Sequence, residues 1–332
     1  MITKLKIPFS GVTVACLALA TICLPWATPK PVYAEEGQEA AIEWAEPARL
    51  ASSSLLLDAA QTGQRTIAVG ERGHILVSED KGRTWVQARV PTRSLLTSVT
   101  MVDSKLAWAA GHDAVILHSK DGGMTWKRQY FAPDLESPLL DIWFENASHG
   151  LAVGAYGLVL ETHDSGSTWT QRFIDEQERH WNAITSSPDG TVYVAAEFGT
   201  IFRSRDQGKN WDALTTPYAG SFFGALPLSD GALLIFGLRG NIYLTIDQGD
   251  SWRQIATDTT VSLMKGLELP DNKVIIAGLS GTLLISTDKS MSFKTVNRPD
   301  RKGISALLPA DSQKLLLFGE GGINQDSIPS SH

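Results

Sequence analysis

Hydrophobic and polar positions along this chain alternate in short runs that recur at a fixed interval. The runs LLLDAA, SVTMVD, LLDIWF, NAITSS, FFGALPL and KGLELP each precede a second apolar run, a four-residue Gly-rich turn and a third run. Those second strings read AVGERGHILVS, AAGHDAVILHS, AVGAYGLVLET, AAEFGTIFRS, IFGLRGNIYLT and IAGLSGTLLIS. A polar box follows: SEDKGRTW, HSKDGGMTW, THDSGSTW, RSRDQGKNW, TIDQGDSW and the degenerate STDKSMSF. The box aromatics are Trp85, Trp126, Trp169, Trp211, Trp252 and Phe293, so the repeat step is 41 to 43 residues. A fourth short run such as TWVQARV closes each unit.

Each unit therefore reads strand, turn, strand, Gly turn, strand, Asp-Gly turn, strand, with no helical period of 3.6. Four antiparallel strands in about 42 residues is the size of one β-propeller blade. Six copies are complete, and ISALLPADSQKLLLFGEGGINQD supplies three strands of a seventh. The expected fold is all-β, a seven-bladed propeller of four-stranded antiparallel blades over residues 41–328. AIEWAEPARL (41–50) resembles TWVQARVPT, with Trp44 at the position of the box tryptophan. It is expected to supply the missing outer strand of the last blade, closing the ring and removing an open edge.

The boxes need a structural explanation before a chemical one. Asp accepts hydrogen bonds from turn N–H groups, Gly permits the left-handed backbone such turns require, and Trp is a large apolar plug. A motif present in every blade at one spacing serves what every blade needs. Asp80, Asp121, Asp164, Asp206, Asp247 and Asp288, spread round a rim, cannot converge on one substrate.

Composition narrows the class. Lys4 and Lys6 precede an apolar run from Ile7 to Leu24, and Val32-Tyr33-Ala34 places small residues where a signal peptidase cuts. Residues 1–34 are expected to be a secretory signal peptide, 35–40 a linker and 329–332 a disordered tail. Both cysteines, Cys16 and Cys23, lie in the signal segment, so no disulfide or thiol chemistry is expected after its removal. The chain carries 29 basic and 36 acidic residues. That balance opposes binding to nucleic acid or to an anionic membrane surface.

The binding surface is expected elsewhere. In a propeller, the turns between second and third strands share one face with the links between blades, and the boxes occupy the other. The Gly-turn tips vary from blade to blade, as a single recognition surface on a constant scaffold requires. The links at 127–138 and 170–181 mix aromatics with Arg and acids, a composition enriched at protein interfaces. Arg72, His112, Tyr130, Phe131, Tyr156, Arg172, Trp181, Phe198 and Arg239 are the candidate partner-binding residues. His74, His112, His118, His149, His163 and His180 show no ligand-like spacing, so neither a metal nor a cofactor is expected. The GERG-like strings are hairpin turns with no helix behind them, which excludes a phosphate cradle.

The boxes resemble the Asp-box (BNR) repeats of sialidases. Those enzymes carry a Phe/Tyr-Arg-Ile-Pro string and a Tyr–Glu nucleophile pair; the nearest string here is VPTR at 90–93, in reversed order. A glycosidase activity is therefore not expected. Over roughly residues 40–325 the chain is similar to the photosystem II assembly and stability factor family, seven-bladed BNR propellers. AVGAYGLVLETHDSGSTW (152–169) and LRGNIYLT (238–245) carry the likeness. PLLDIWF, PYAGSFFGAL and FGLRGNIY look like a proteobacterial envelope branch of it. This resemblance implies a periplasmic, non-catalytic protein-binding propeller, accessory to an RND-type exporter or another envelope complex. The photosynthetic relatives imply the alternative, an assembly chaperone that holds a membrane-protein client.

Overall fold

The computed structural model describes residues 41–328, and the signal segment, linker and tail lie outside the described residues. Seven antiparallel sheets follow one another around a central axis, at 56–87, 96–130, 139–172, 181–215, 222–255, 263–297 and 304–327. We number them blades 1 to 7. The first shows the plan: Leu56–Thr62 lines the axis, followed outward by Arg65–Gly70, Ile75–Ser78 and Val86–Gln87. The all-β, seven-bladed expectation is met. Among the described residues no helix is long and apolar enough to cross a membrane.

The core lies between blades rather than within them. Second and third strands are buried on both faces, so they read as continuous apolar runs, while outermost strands are mostly exposed. In blade 1, Ile67 and Val69 pack against Leu96, Val99 and Trp126 of blade 2. The alternate residue Ala68 faces Phe318 of blade 7. Each box aromatic fills the gap to the preceding blade: Trp169 packs with blade 2, Trp211 with blade 3, Trp252 with blade 4 and Phe293 with blade 5. Trp85 closes the ring, meeting Phe318 of blade 7 edge to face at 6.0 Å.

The closing segment departs from expectation. The seventh sheet has three strands, and residues 41–48 form none. They lie instead along the outer edge of blade 1, where Ala45 N donates to Val90 O at 2.9 Å and Ala48 N to Gln87 Oε1 at 2.8 Å. Trp44 does not plug a gap between blades; it lies under the Arg89 guanidinium, 4.0 Å from its ring centroid. Pro47 has no N–H for a ladder, which disfavours a regular strand here. The edge of blade 7 is met by the turn Ala51–Ser53, whose Ser52 carbonyl would lie 2.2 Å from any Cβ at Gly322. A side chain at that position would push the closing turn away.

Candidate functional site

Hydrogen bonds fix which loops share a face. At the Gly turns, the N–H of the residue after the second strand donates to the carbonyl just ahead of the inner strand of the same blade. The seven instances are Glu71 to Leu55, His112 to Leu95, Ala155 to Pro138, Glu197 to His180, Leu238 to Ser221, Leu279 to Ser262 and Glu320 to Gly303. Gly turns and interblade links therefore lie together on one rim. On the opposite rim the boxes bond the turns between first and second strands, as in Lys81 N to Gln64 O and Gly122 N to Lys105 O.

Every box carboxylate is occupied by its own turn. Asp80 Oδ1 accepts the Thr84 N–H at 2.9 Å and the Ser78 hydroxyl at 2.7 Å, and Oδ2 accepts the Thr84 hydroxyl at 2.7 Å. Asp121, Asp164, Asp206, Asp247 and Asp288 repeat this pattern with Thr125, Thr168, Asn210, Ser251 and Ser292. These bonds favour the charged form and hold Asp206 at a pKa of about 2. Several indoles bond within the same turns: Trp85, Trp126 and Trp211 donate to the carbonyls of Gly82, Gly123 and Gly208.

The Gly-turn tips are different. Arg72, Asp113, Tyr156, Phe198, Arg239 and Ser280 all take left-handed backbone, with φ between 53° and 60°. That conformation costs a residue with a Cβ on the order of 1 kcal/mol where Gly would cost nothing. Tyr156 is 59% exposed and Phe198 67% exposed. Arg72, His112 and Arg239 are also exposed, and among the described residues neither arginine is in an ion pair. Glu71, Glu136 and Glu320 stand on the same rim, with Glu197 half-buried, so the charge there is mixed.

The structure thus brings Arg72, His112, Tyr156, Phe198 and Arg239 onto one face. The other four expected residues are placed differently. Tyr130 is half-buried against the core between blades 2 and 3, and Phe131 packs between blades 1 and 2 beneath Arg128. Trp181 has no exposure, because it is the first residue of an inner strand and stacks on Phe202. Arg172 points away from the face, paired with Glu161 and donating to the Lys209 carbonyl of the neighbouring box.

Two groupings were not foreseen. The first lines the axis. In all seven blades the inner strand is bulged after its first residue, as between Leu56 and Asp58 and between Leu263 and Lys265. The bulge turns side chains into the lumen. A cavity of about 360 Å³ there is bordered by Asp58, Ser98, Asp141, Asn182 and Lys265. Lys265 Nζ meets Asp58 Oδ1 at 2.9 Å, and Ser98 Oγ lies 3.1 Å from Asp58 Oδ2 and 2.5 Å from Asp141 Oδ1.

The Ser98 hydroxyl has one proton to share between the two carboxylates, and Asp141 also accepts the Ile142 and Ile184 N–H groups. Burial pushes the Asp141 pKa up, with the Asp58 charge adding to the effect against the pull of Lys265 and of the bonds from Ser98 and Ile184. Burial opposes the Lys265 charge, but Asp58 and Asp141 outweigh it and hold that pKa above the usual lysine range.

The second grouping lies on the box side of blade 3, where His149, Glu161 and His163 converge. Burial would raise the Glu161 pKa, but hydrogen bonds from His149 and Arg172 outweigh it and lower it. Contacts to Glu161 and then Glu145 raise that of His149. Aligning the repeats by inner-strand slot would have exposed the first grouping, since Asp58, Asp141 and Lys265 stand where other blades have Ser, Ala or Gly.

Comparison with known proteins agrees with this architecture. The family model described as photosynthesis system II assembly factor YCF48 matches residues 36–135 and 129–265, more than half the chain. The photosystem II assembly lipoprotein Ycf48 of Synechococcus sp. (strain CC9902) is 28% identical over 140 residues, 41% of this chain and 42% of that protein. The chloroplastic stability/assembly factor HCF136 of Oryza sativa subsp. japonica is 25% identical over 145 residues, 42% of this chain and 35% of that protein. The matched stretch thus spans less than half the length of these curated relatives. A solved YCF48 bound to a D1 peptide superposes with a TM-score of 0.67 at 19% identity, over 86% of this chain and 97% of that one. Virginiamycin B lyase from Staphylococcus aureus gives 0.72 at 13% identity, over 87% and 100%, a likeness of fold alone. With its sequence matched by the family model and its seven blades in place, the chain belongs to the photosystem II assembly factor Ycf48 family.

Proposed function

We propose that this chain is a non-catalytic, exported propeller of the assembly-factor kind, holding a segment of a membrane-protein client on its Gly-turn face. The observation that carries this is the contrast in how side chains are used. The box carboxylates are occupied by their own turns, whereas Arg72, Tyr156, Phe198 and Arg239 stand exposed on strained backbone with their polar and aromatic groups available. Arg binds carboxylates with two parallel hydrogen bonds, and exposed aromatics supply interface area at low entropic cost. Membership in the family, and a relative solved with a D1 peptide, support a client that is an extended segment of a membrane protein. A relative named as a lipoprotein supports an exported location, periplasmic in a Gram-negative cell.

A second reading is an accessory of an RND-type exporter, and the mixed charge of the face favours it. Arg72 and Arg239 share the rim with Glu71, Glu136, Glu197 and Glu320, so the surface is not the basic patch that a strongly acidic client segment would select.

The test has two arms. Fluorescently labelled D1 peptide is titrated with the purified chain, and the tagged chain is used to capture partners from envelope membranes. Both are repeated with Arg72→Ala/Phe198→Ala/Arg239→Ala. Saturable peptide binding that the triple variant loses supports the client-holding reading. Capture of exporter subunits without peptide binding supports the second. Equal capture by wild type and variant places the surface elsewhere.

A further inference from the structure

We propose that His149, Glu161 and His163 form a binding site for one divalent transition-metal ion, zinc being the best match, on the box side of blade 3. Antiparallel pairing of Gly150 with Thr162 sets His149 across from His163, with Glu161 diagonal to it, although twelve or more residues separate His149 from the other two. His149 Nε2 lies 3.2 Å from Glu161 Oε1, and His163 Nε2 lies 3.4 Å from the same oxygen. Ligands about 2.05 Å from a tetrahedral zinc are about 3.3 Å apart, so both separations match edges of that tetrahedron.

The three facing atoms call for added positive charge, as protons or as an ion. His149 Nδ1 is 3.0 Å from Glu145 Oε2, which makes Nδ1–H the donor to that carboxylate. A neutral His149 then directs the Nε2 lone pair at a carboxylate oxygen that already faces a second imidazole. Three lone pairs converge on one point, and either extra protons on both rings or a single cation relieves the repulsion. The arrangement of carboxylate, histidine and shared point is the one that orients metal-bound imidazoles.

The surroundings fit. Arg172 occupies Glu161 Oε2, leaving Oε1 directed at the imidazoles. The His149 and His163 rings lie parallel with centroids 4.8 Å apart, and the three ligand atoms lie within 4.8 Å of one another. Rotation of the His163 side chain, 68% exposed, closes the set and gives an ion its entry path. Two imidazoles and one carboxylate suit a borderline ion better than calcium or magnesium, and leave a fourth position to solvent.

The experiment uses the tag-free chain, stripped with chelator, then titrated with Co²⁺ by visible absorption and with Zn²⁺ against a chromogenic chelator. One ion per chain is expected, with the intense visible bands of tetrahedral cobalt. His163→Ala, at an exposed position that folding does not depend on, is expected to weaken Zn²⁺ binding about 100-fold. Glu145→Gln is expected to weaken it about 10-fold, the usual cost of losing the group behind a ligand. His74→Ala is expected to leave it unchanged. Absence of stoichiometric binding overturns the proposal, as does equal binding by His149→Ala/His163→Ala.

Discussion

The two rims of this propeller use the same backbone device for opposite ends. On the box rim, Lys81, Ser165, Gln207, Gln248 and Lys289 take left-handed backbone with φ of 56° to 63°. On the Gly-turn rim, Arg72, Asp113, Tyr156, Phe198, Arg239 and Ser280 do the same at 53° to 60°. What differs is the company each keeps. The box turns recur in sequence, with Asp holding Thr and the Trp indole donating to the turn's own Gly carbonyl. The Gly turns have backbone bonds and a left-handed tip in common, and those tips point different chemistry at solvent. Repetition with internal satisfaction marks the part that builds the blade. Variation at equivalent positions marks the part free to recognise.

The largest effect that sharpens this contrast is expected from Trp126→Ala. This indole is 4% exposed between blades 1 and 2, and its loss should cost about 3–5 kcal/mol in chemical denaturation. Denaturation that leaves the midpoint unmoved would show that the box aromatics do not hold neighbouring blades together.

Inside the ring the account separates two carboxylates. Asp58→Asn leaves Lys265 without its neutralising partner and is expected to cost about 1–3 kcal/mol, less than a fully buried pair because Lys265 is 42% exposed to the lumen. Asp141→Asn replaces a carboxyl whose charged form burial disfavours and which makes no ion pair with Lys265, so it is expected to cost less than Asp58→Asn. Equal losses in the two variants would show that Asp58 is not the principal partner of Lys265.

The boxes also predict an acid limit. Asp206, Asp247 and Asp288 have folded pKa values of about 2, below the ordinary carboxylate range. A depressed pKa contributes stability that is present above the unfolded value near 4 and is lost as pH falls toward 2. Tryptophan fluorescence against pH should therefore show the melting midpoint falling between about pH 4 and pH 2. Asp288→Asn, tested alone, should flatten part of that fall.

The smallest stability effect belongs to the tips. Phe198→Ala and Arg239→Ala should each move stability by no more than about 0.5 kcal/mol. Phe198→Gly should hold or slightly raise it by relieving left-handed strain. A large loss in calorimetry would return these residues to the scaffold.

How much of this the sequence carried follows from which interactions are local. The repeat is local in period, so blade number, turn type and the two rims could be read from spacing. Trp181 could not be read as core from its own loop, since it closes a polar stretch. Its burial comes from sharing a slot with Leu56, Leu96, Leu139, Phe222, Leu263 and Ile304 at the head of each inner strand. Arg172 was drawn from the face by Glu161, a partner eleven residues away across a strand pair. Trp44 matched a box tryptophan in sequence, yet Arg89 and the edge of blade 1 hold it. The lumen cluster shows only when the seven inner-strand slots are aligned, and the His149 set depends on the pairing register of one hairpin, which no short string encodes.

The most direct test compares the two rims at equivalent positions. Wild type, Arg72→Ala/Phe198→Ala/Arg239→Ala and Lys81→Ala/Gln207→Ala/Lys289→Ala are used side by side to capture partners from envelope membranes, with melting midpoints measured for all three. The account predicts that the three melt within a few degrees of one another, that the box-rim variant captures as wild type does, and that the Gly-turn variant captures nothing specific. Loss of capture in the box-rim variant, with the Gly-turn variant unimpaired, would contradict it.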